Sequence, residues 1–271
     1  MNNIENEEKI EILEGIISVN AAIEAGRRKI VTVFVDLGKY KKRDRKITHF
    51  VGTLKARGIK YELCERSVID AFVAEHDPNG GHSHGGVAAA VSARKYDTAD
   101  DLLEKCAAEK GYLVFLDGVE DPFNLGYALR SLYAFGVTGV ILPKRDFSSC
   151  SGVLARSSAG ASELCPTALA ELDTPEKRLS FIDKLRSLGI ALDCAAVSSS
   201  SVPADEYAYP SPLILFIGGE KRGISPEFVE NADALLHIPY ARDTVRYSLP
   251  TADAASIFGM AISGSMRNNG R

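Results

Sequence analysis

Three stretches concentrate the residues able to do chemistry: LDGVEDPFNLGYALRSLYAFG (116–136), LILFIGGEKRGIS (213–225) and HIPYARDTVRYSLPTADAASI (237–257). The first two open with an apolar run that breaks at a small or acidic residue; the third is preceded by a shorter run, ALLHIP. Polar residues gather just past each break, where open α/β sheets place ligands, beyond the carboxyl ends of strands. Three such loops predict one composite site. In the first, Asp121-Pro122 sets up a helix start, Asn124 sits at the helix mouth with an amide able to cap backbone N–H groups, and Arg130 lies off the buried stripe. In the second, Gly218, Gly219 and Gly223 permit close backbone approach and positive φ, so main-chain groups can recognise an adenine. Glu220 stands there beside Lys221 and Arg222, a grouping that also suits a surface ion cluster. In the third, Pro250 suits the first position of a helix and Ser248 falls near its N-cap.

The obvious competing chemistries lack their signatures. The turn DGVEDPFNLG has no G-x-G-x-x-G, and GGEKRG lacks the spacing too. No GxxxxGK[ST], GxSxG or HExxH occurs. Hydride transfer and P-loop phosphate chemistry are disfavoured.

The elements that would position these residues follow from periodicity. A helix is predicted over 8–26, from Ile12, Ile16, Val19 and Ile23 and a stop at Gly26. Strands are expected at 30–36, 59–63 and 87–92, with helices at 46–57 and 67–75. This first α/β module carries a basic run after its first strand. Residues 96–110 read as a charged helical connection. The second module alternates strands (112–117, 137–142, 190–195, 213–218, 234–238) with helices (124–135, 151–158, 175–188, 226–231, 250–266). Short apolar strands with helical crossovers predict a mostly parallel sheet covered on both faces. The domain boundaries are placed at 1–95, 96–110 and 111–271.

Composition is that of a globular protein: 45% hydrophobic, 25% charged over 271 residues, with no long apolar run to span a membrane. The acidic start MNNIENEEK lacks a signal-peptide pattern, and five scattered cysteines without a CxxC pair suggest reduced thiols in a cytoplasm. Net charge is −4, yet residues 26–46 hold nine basic and two acidic residues, a local +7 that suits RNA or another polyanion. His76, His82 and His84 fall in a glycine-rich stretch; no cysteine accompanies them and no metal site is expected, a loop offering donors to a polyanion fitting better.

The three segments, in order, resemble the motifs of the SpoU (TrmH-type) branch of the SPOUT RNA methyltransferases. The first is D-x-x-x-D-P-x-N-x-G-x-x-x-R, on Asp117, Asp121, Pro122, Asn124, Gly126 and Arg130. The second is G-x-E-x-x-G, on Gly218, Glu220 and Gly223; the third is I-P followed by S-L, on Ile238, Pro239, Ser248 and Leu249. RSSAGASE (156–163) is similar to the family's Ser-x-Gly-Ala stretch, and HGGV (84–87) to the end of its L30e-like substrate-binding domain. The resemblance covers nearly the whole chain. It implies an α/β fold: a C-terminal SPOUT domain with a deep trefoil knot, preceded by a smaller L30e-like domain. It also implies a homodimer that transfers methyl from S-adenosyl-L-methionine to a ribose 2′-hydroxyl of rRNA or tRNA. By motif position Gly218, Ile238 and Leu249 would contact the cofactor, and Asn124, Arg130, Glu220 and Ser248 would form the catalytic group. The L30e-like module favours rRNA.

One position departs from the pattern. The family's Ser-Leu-Asn is here Ser248-Leu249-Pro250, and proline offers no side-chain hydrogen bond and no N–H. Thr251 or Arg246 could compensate; otherwise the chain would be a weakened or inactive knotted RNA-binding protein. A small-molecule nucleotide enzyme is a third, weaker reading.

Overall fold

The computed structural model describes residues 10–76, 84–219, 222–242 and 248–268. In chain order the elements begin β1 (Ile10–Glu14), α1 (Gly15–Ala25), β2 (Ile30–Asp36), α2 (Leu37–Lys41), α3 (Arg45–Ala56), β3 (Tyr61–Cys64), α4 (Arg66–His76) and β4 (Val87–Ser92). They continue with α5 (Ala99–Glu109), β5 (Tyr112–Asp117), α6 (Pro122–Ala134), β6 (Gly139–Pro143), α7 (Ser151–Ser157), α8 (Ala161–Leu164) and β7 (Thr167–Ala170). The chain closes with α9 (Pro175–Ser187), β8 (Ala191–Ala195), β9 (Val202–Pro203), β10 (Leu213–Gly218), α10 (Pro226–Glu230), β11 (Ala234–His237) and α11 (Thr251–Asn268). The chain divides into two compact units. One comprises residues 1–95 and 146–164; the other comprises 96–145 and 165–271.

The first unit has a four-stranded sheet in the order β1-β4-β2-β3, with only β2 and β3 parallel. The helix expected over 8–26 is corrected: Ile10–Glu14 is a strand paired with β4, and helix α1 starts only at Gly15, whose φ of 82° turns the chain. The 3–4 spacing of isoleucines concealed an alternation. Ile12 faces Ile69 and Val73, whereas Leu13 faces Val19 and Val33, so a strand at this sheet edge buries both sides. Gly26 ends α1 in the left-handed conformation, as its position predicts. In α3, Ile47, Phe50, Val51 and Leu54 form the buried stripe at i, i+3, i+4 and i+7.

Residues 146–164, read along the chain as part of the C-terminal module, pack into this first unit. α7 lies on β1 and α8 on α1, with Ala155 in the core. Gly160 sits so close to α1 that a Cβ there would meet Ala21 at 2.6 Å. A buried ionic group fastens the contact. The Arg28 guanidinium donates through Nε and Nη2 to Glu163 at 2.7 and 3.0 Å, and through Nη1 to Glu11. Burial works against its charge, but the carboxylates of Glu163 and Glu11 outweigh burial and raise its pKa. Arg156 pairs with Glu14 alongside.

The second unit has a seven-stranded, wholly parallel sheet in the order β7-β6-β5-β10-β8-β11-β9. Strands 112–117 and 213–218 stand where predicted; β7 and the short β9 were not anticipated, being too short for a period. On one face Leu113, Phe115, Ile214 and Phe216 pack with Ile182, Leu185 and Phe228 from α9 and α10. α5, expected as a connection, adds Leu102, Leu103 and Cys106 to this core. α11 contacts β10 and packs on α6, where Gly259 lies against Leu132 and Phe135 and the Ser256 hydroxyl donates to Ser131 at 2.7 Å.

Asp193 in β8 is wholly buried and its Oδ2 has no partner among the described residues. Burial is the main cause that pushes its carboxyl up to about 7.

Two outcomes are expected. Arg28→Met, which strands two buried carboxylates, should cost about 3–5 kcal/mol in urea unfolding. Because the folded-state pKa of Asp193 lies above the unfolded one, its contribution is complete below the unfolded value and is lost as pH rises through the folded one. Unfolding free energy should therefore fall by about 2 kcal/mol from roughly pH 5 to pH 8 on this account, and Asp193→Asn should flatten that slope.

Candidate active site

The three chemistry-bearing segments converge on the end of β10. β5 and β10 are adjacent and parallel, with Asp117 in register with Gly218. From β5 the chain steps outward to β6 and β7, then crosses to β8 on the other side of β10, so the β5–β10 pair marks the switch point where open sheets leave a crevice. Past the strand ends the backbones touch. A Cβ on Gly219 would lie 2.3 Å from the Gly118 carbonyl oxygen, and one on Gly218 would lie 2.5 Å from the carbonyl carbon of Gly223. Gly223 has φ 68° and donates its N–H to the Gly219 carbonyl, closing the turn.

Side chains hold this turn from two sides. Asp117 Oδ2 accepts from both the N–H and the hydroxyl of Ser225, at 2.9 and 2.8 Å, while the Asp117 carbonyl accepts from Gly219 N–H. Ser225 precedes α10 and reads as an N-cap, but its hydroxyl is spent on Asp117 instead. From the third segment, buried Thr251 donates its hydroxyl to the Gly218 carbonyl at 3.2 Å. Pro250 stands just before α11 rather than at its first position, and its carbonyl accepts from Asp253 and Ala254.

The turn forms one wall of a cavity of about 400 Å³. Ile217, Ile224, Leu236 and Phe258 make it apolar; Gly218 and Gly219 can offer only backbone; Ile238, Ser248 and Leu249 also line it, and Arg222, His237 and Tyr240 add polar groups. The Leu249 N–H is taken by the Tyr240 hydroxyl at 3.2 Å. A partly open cleft with an apolar lining and polar groups at its edge suits a flat heteroaromatic ligand.

The structure thus brings together Gly218, Ile238, Ser248 and Leu249. Asn124 and Arg130 do not line this cavity. Asn124 is not the cap of α6: Asp121 is, accepting from the Asn124 N–H at 2.8 Å, because the aspartate stands at the N-cap position and Asn124 three residues inside. Arg130 is exposed on α6 and has no ion-pair partner among the described residues. Glu220 and Arg246 lie outside the described residues, as does His82. His84 is no surface donor. It is buried, accepts the Gly86 N–H at Nδ1 and therefore carries its proton at Nε2, 2.7 Å from Asp70. In the sequence Thr251 stands only as a possible substitute for the missing asparagine, and nothing there links Asp117 to Ser225; a serine before proline at a helix start carries no sign of a long-range partner. No group of three or more metal-ligating side chains occurs among the described residues, and no described helix is long and apolar enough to cross a membrane.

Residues 111–260 match the SpoU rRNA Methylase family, and residues 12–97 match the RNA 2′-O ribose methyltransferase substrate binding domain. The chain belongs to the SpoU rRNA methylase family. Among SpoU relatives, an uncharacterized tRNA/rRNA methyltransferase of Mycobacterium avium is 31% identical over 237 residues, covering 86% of this chain and 72% of that one. The 23S rRNA (guanosine-2′-O-)-methyltransferase RlmB of Yersinia pestis is 28% identical, covering 92% and 95%. The SpoU methyltransferase AviRb of Streptomyces viridochromogenes shares the fold, with a TM-score of 0.71 at 20% identity, covering 99% of this chain and 94% of AviRb. An AdoMet-bound rRNA methyltransferase of Sinorhizobium meliloti does likewise, with a TM-score of 0.70 at 24% identity, covering 97% and 89%.

Thr251→Val removes one of the ties on the glycine turn without changing side-chain size. It is expected to weaken the turn by about 1 kcal/mol, so that the Gly223 amide exchanges with solvent roughly fivefold faster. Thr251→Ser should exchange like the parent.

Proposed function

We propose that this chain is an S-adenosyl-L-methionine-dependent RNA methyltransferase that modifies a ribose 2′-hydroxyl, in rRNA rather than tRNA. The observation that carries it is the meeting of three segments at Gly218, around a backbone-lined cavity of about 400 Å³. The rRNA preference draws on the Yersinia relative, nearly all of whose length this chain spans.

The residues present fit that cofactor. Gly218 and Gly219 have no room for a Cβ because residues 117–118 and 223–224 pack directly on them, which fixes the turn that walls the cavity. Gly218, Ile238 and Leu249 would hold the cofactor through backbone groups, with Ile217 and Phe258 against its apolar faces. When bound, S-adenosyl-L-methionine supplies a methyl group activated by a cationic sulfonium. Alignment then contributes much of the rate, and the ribose hydroxyl must lose a proton whose pKa is far above neutral. A guanidinium stays protonated at neutral pH. Arg130 therefore acts by orienting the ribose or its phosphate, with Asn124, Glu220 and Ser248 completing the catalytic group.

Arg130 shares a face of α6 with Phe123 and Tyr127, spaced by four and three residues. Both rings are exposed, at 46% and 48%. A second copy of the chain would cover that aromatic face and bring Arg130 into a site, the homodimeric arrangement included in this reading. Threading of α11 through a deep trefoil knot is included too, supported by its return to Gly218. The weakened-enzyme alternative rests on Pro250, but Thr251 already supplies a polar contact to the turn.

Labelled S-adenosyl-L-methionine incubated with the protein and protein-free rRNA should place label on 2′-O-methyl nucleosides after nuclease digestion. A protein that binds the cofactor but labels no RNA overturns the proposal. Arg130→Ala should lose transfer by at least about a hundredfold while cofactor affinity stays within about twofold of the parent.

A further inference from the structure

The basic run from Gly26 to Lys46 does not act as one patch. Arg28 is consumed by Glu11 and Glu163 inside the first unit. Arg27 and Lys29 precede β2; the other six cations lie on α2, α3 and the turn between them, and the two acids of the run are each engaged at a helix N-terminus. Asp36 caps α2, accepting from the Lys39 N–H, and Asp44 caps α3, accepting from the N–H groups of Lys46 and Ile47, each bond 3.0 Å long. Lys39 turns its Nζ to the Gly85 carbonyl at 2.7 Å. That leaves Lys41, Lys42, Arg43, Arg45 and Lys46 exposed and without an ion-pair partner among the described residues.

The surface they occupy is concave. A groove of about 1100 Å³ is lined by Tyr40, Lys41, Arg43, Arg45, Lys46 and His49, among others. Arg45 and Lys46 also line an adjoining cavity of about 730 Å³, which reaches Lys39 and Arg156. Arg43 makes the corner: its φ of 55° is unusual for a residue with a side chain, and it ends α2 and lets α3 begin at once on the Asp44 cap. Backbone strain is thus accepted at the residue that sets one cation against the next. Exposed like charges held in a depression repel one another, and a polyanion that meets several of them at once relieves that repulsion.

We propose that this α2–α3 groove is where the first unit grips the sugar-phosphate backbone of the RNA, with Arg43, Arg45 and Lys46 as its central phosphate contacts. The assignment rests on the RNA methyltransferase reading above. It separates the cations that meet RNA from Arg28, which holds the fold. Arg156, contributed by residues 146–164, lines the adjoining cavity and is paired with Glu14.

Binding of protein-free rRNA, measured by filter retention across a range of potassium chloride concentrations, tests this. A triple variant (Arg43→Gln, Arg45→Gln, Lys46→Gln) is compared with a control triple (Lys55→Gln, Arg57→Gln, Lys60→Gln) that removes as much charge from the same unit outside the groove. The groove variant should bind about tenfold more weakly, with its log affinity against log salt slope shallower by about 2, whereas the control should stay within about twofold of the parent. Both should retain parental affinity for S-adenosyl-L-methionine. If the groove triple unfolds, Arg45→Gln alone should still lower the slope by about 0.7. Equal affinities and slopes for both triples and the parent overturn the groove while leaving the enzyme reading intact. A parent protein that neither binds nor methylates rRNA overturns the enzyme reading and the groove with it.

Discussion

The second unit depends on a place where two backbones meet with no space for a side chain. At the ends of β5 and β10, Gly118, Gly218, Gly219 and Gly223 are packed main chain against main chain. A methyl group on Gly218 or Gly219 would separate the strand ends and move the wall of the cavity, whereas Gly118 and Gly223 are needed there for their positive φ. Because the contact is so close, hydrogen bonds rather than apolar packing hold it. Asp117, Ser225 and Thr251 do so from neighbouring elements. The site is therefore as rigid as its polar ties, and those ties are short-range and shielded, which suits recognition by backbone groups.

Much of this was legible in the residues. Strands such as YLVFLD and LILFIG declare themselves by unbroken apolar character, and helices such as 175–187 by their caps and period. The glycines of GGEKRG signal close backbone approach from the sequence alone. What stayed hidden were relations between distant residues. Nothing local says that Ser225 answers Asp117 rather than capping its own helix, or that the isoleucines of 10–16 belong to two elements and not one. Strand β7, four residues beside a longer neighbour, exists because β6 offers it hydrogen bonds, not because TALA prefers extension. Arg130 shows the other side: its motif position is clear, but α6 leaves it exposed, so its meaning depends on what covers that face.

Charge carries a similar lesson. Arg28 and Arg45 lie in one basic run and look alike in sequence, yet one is sealed between two carboxylates and the other stands in solvent. Counting cations along the chain measured a field but could not separate the charge that binds a partner from the charge that fastens the fold. The separation comes from Glu163, a residue far along the chain.

That same pairing bears on how the protein can be cut or recombined. The first unit is not a contiguous stretch of chain: residues 146–164 leave the methylase half to finish it. A fragment ending at residue 95 would keep Arg28 and Glu11 but lose Glu163, and would expose the face of β1 that α7 covers. The complementary fragment would carry α7 and α8 with nothing to dock against. Exchange of RNA-binding modules between homologues, in the laboratory or in evolution, thus has to move two separate pieces together. The chain is modular in its sequence motifs, yet its first unit is assembled from two separate stretches.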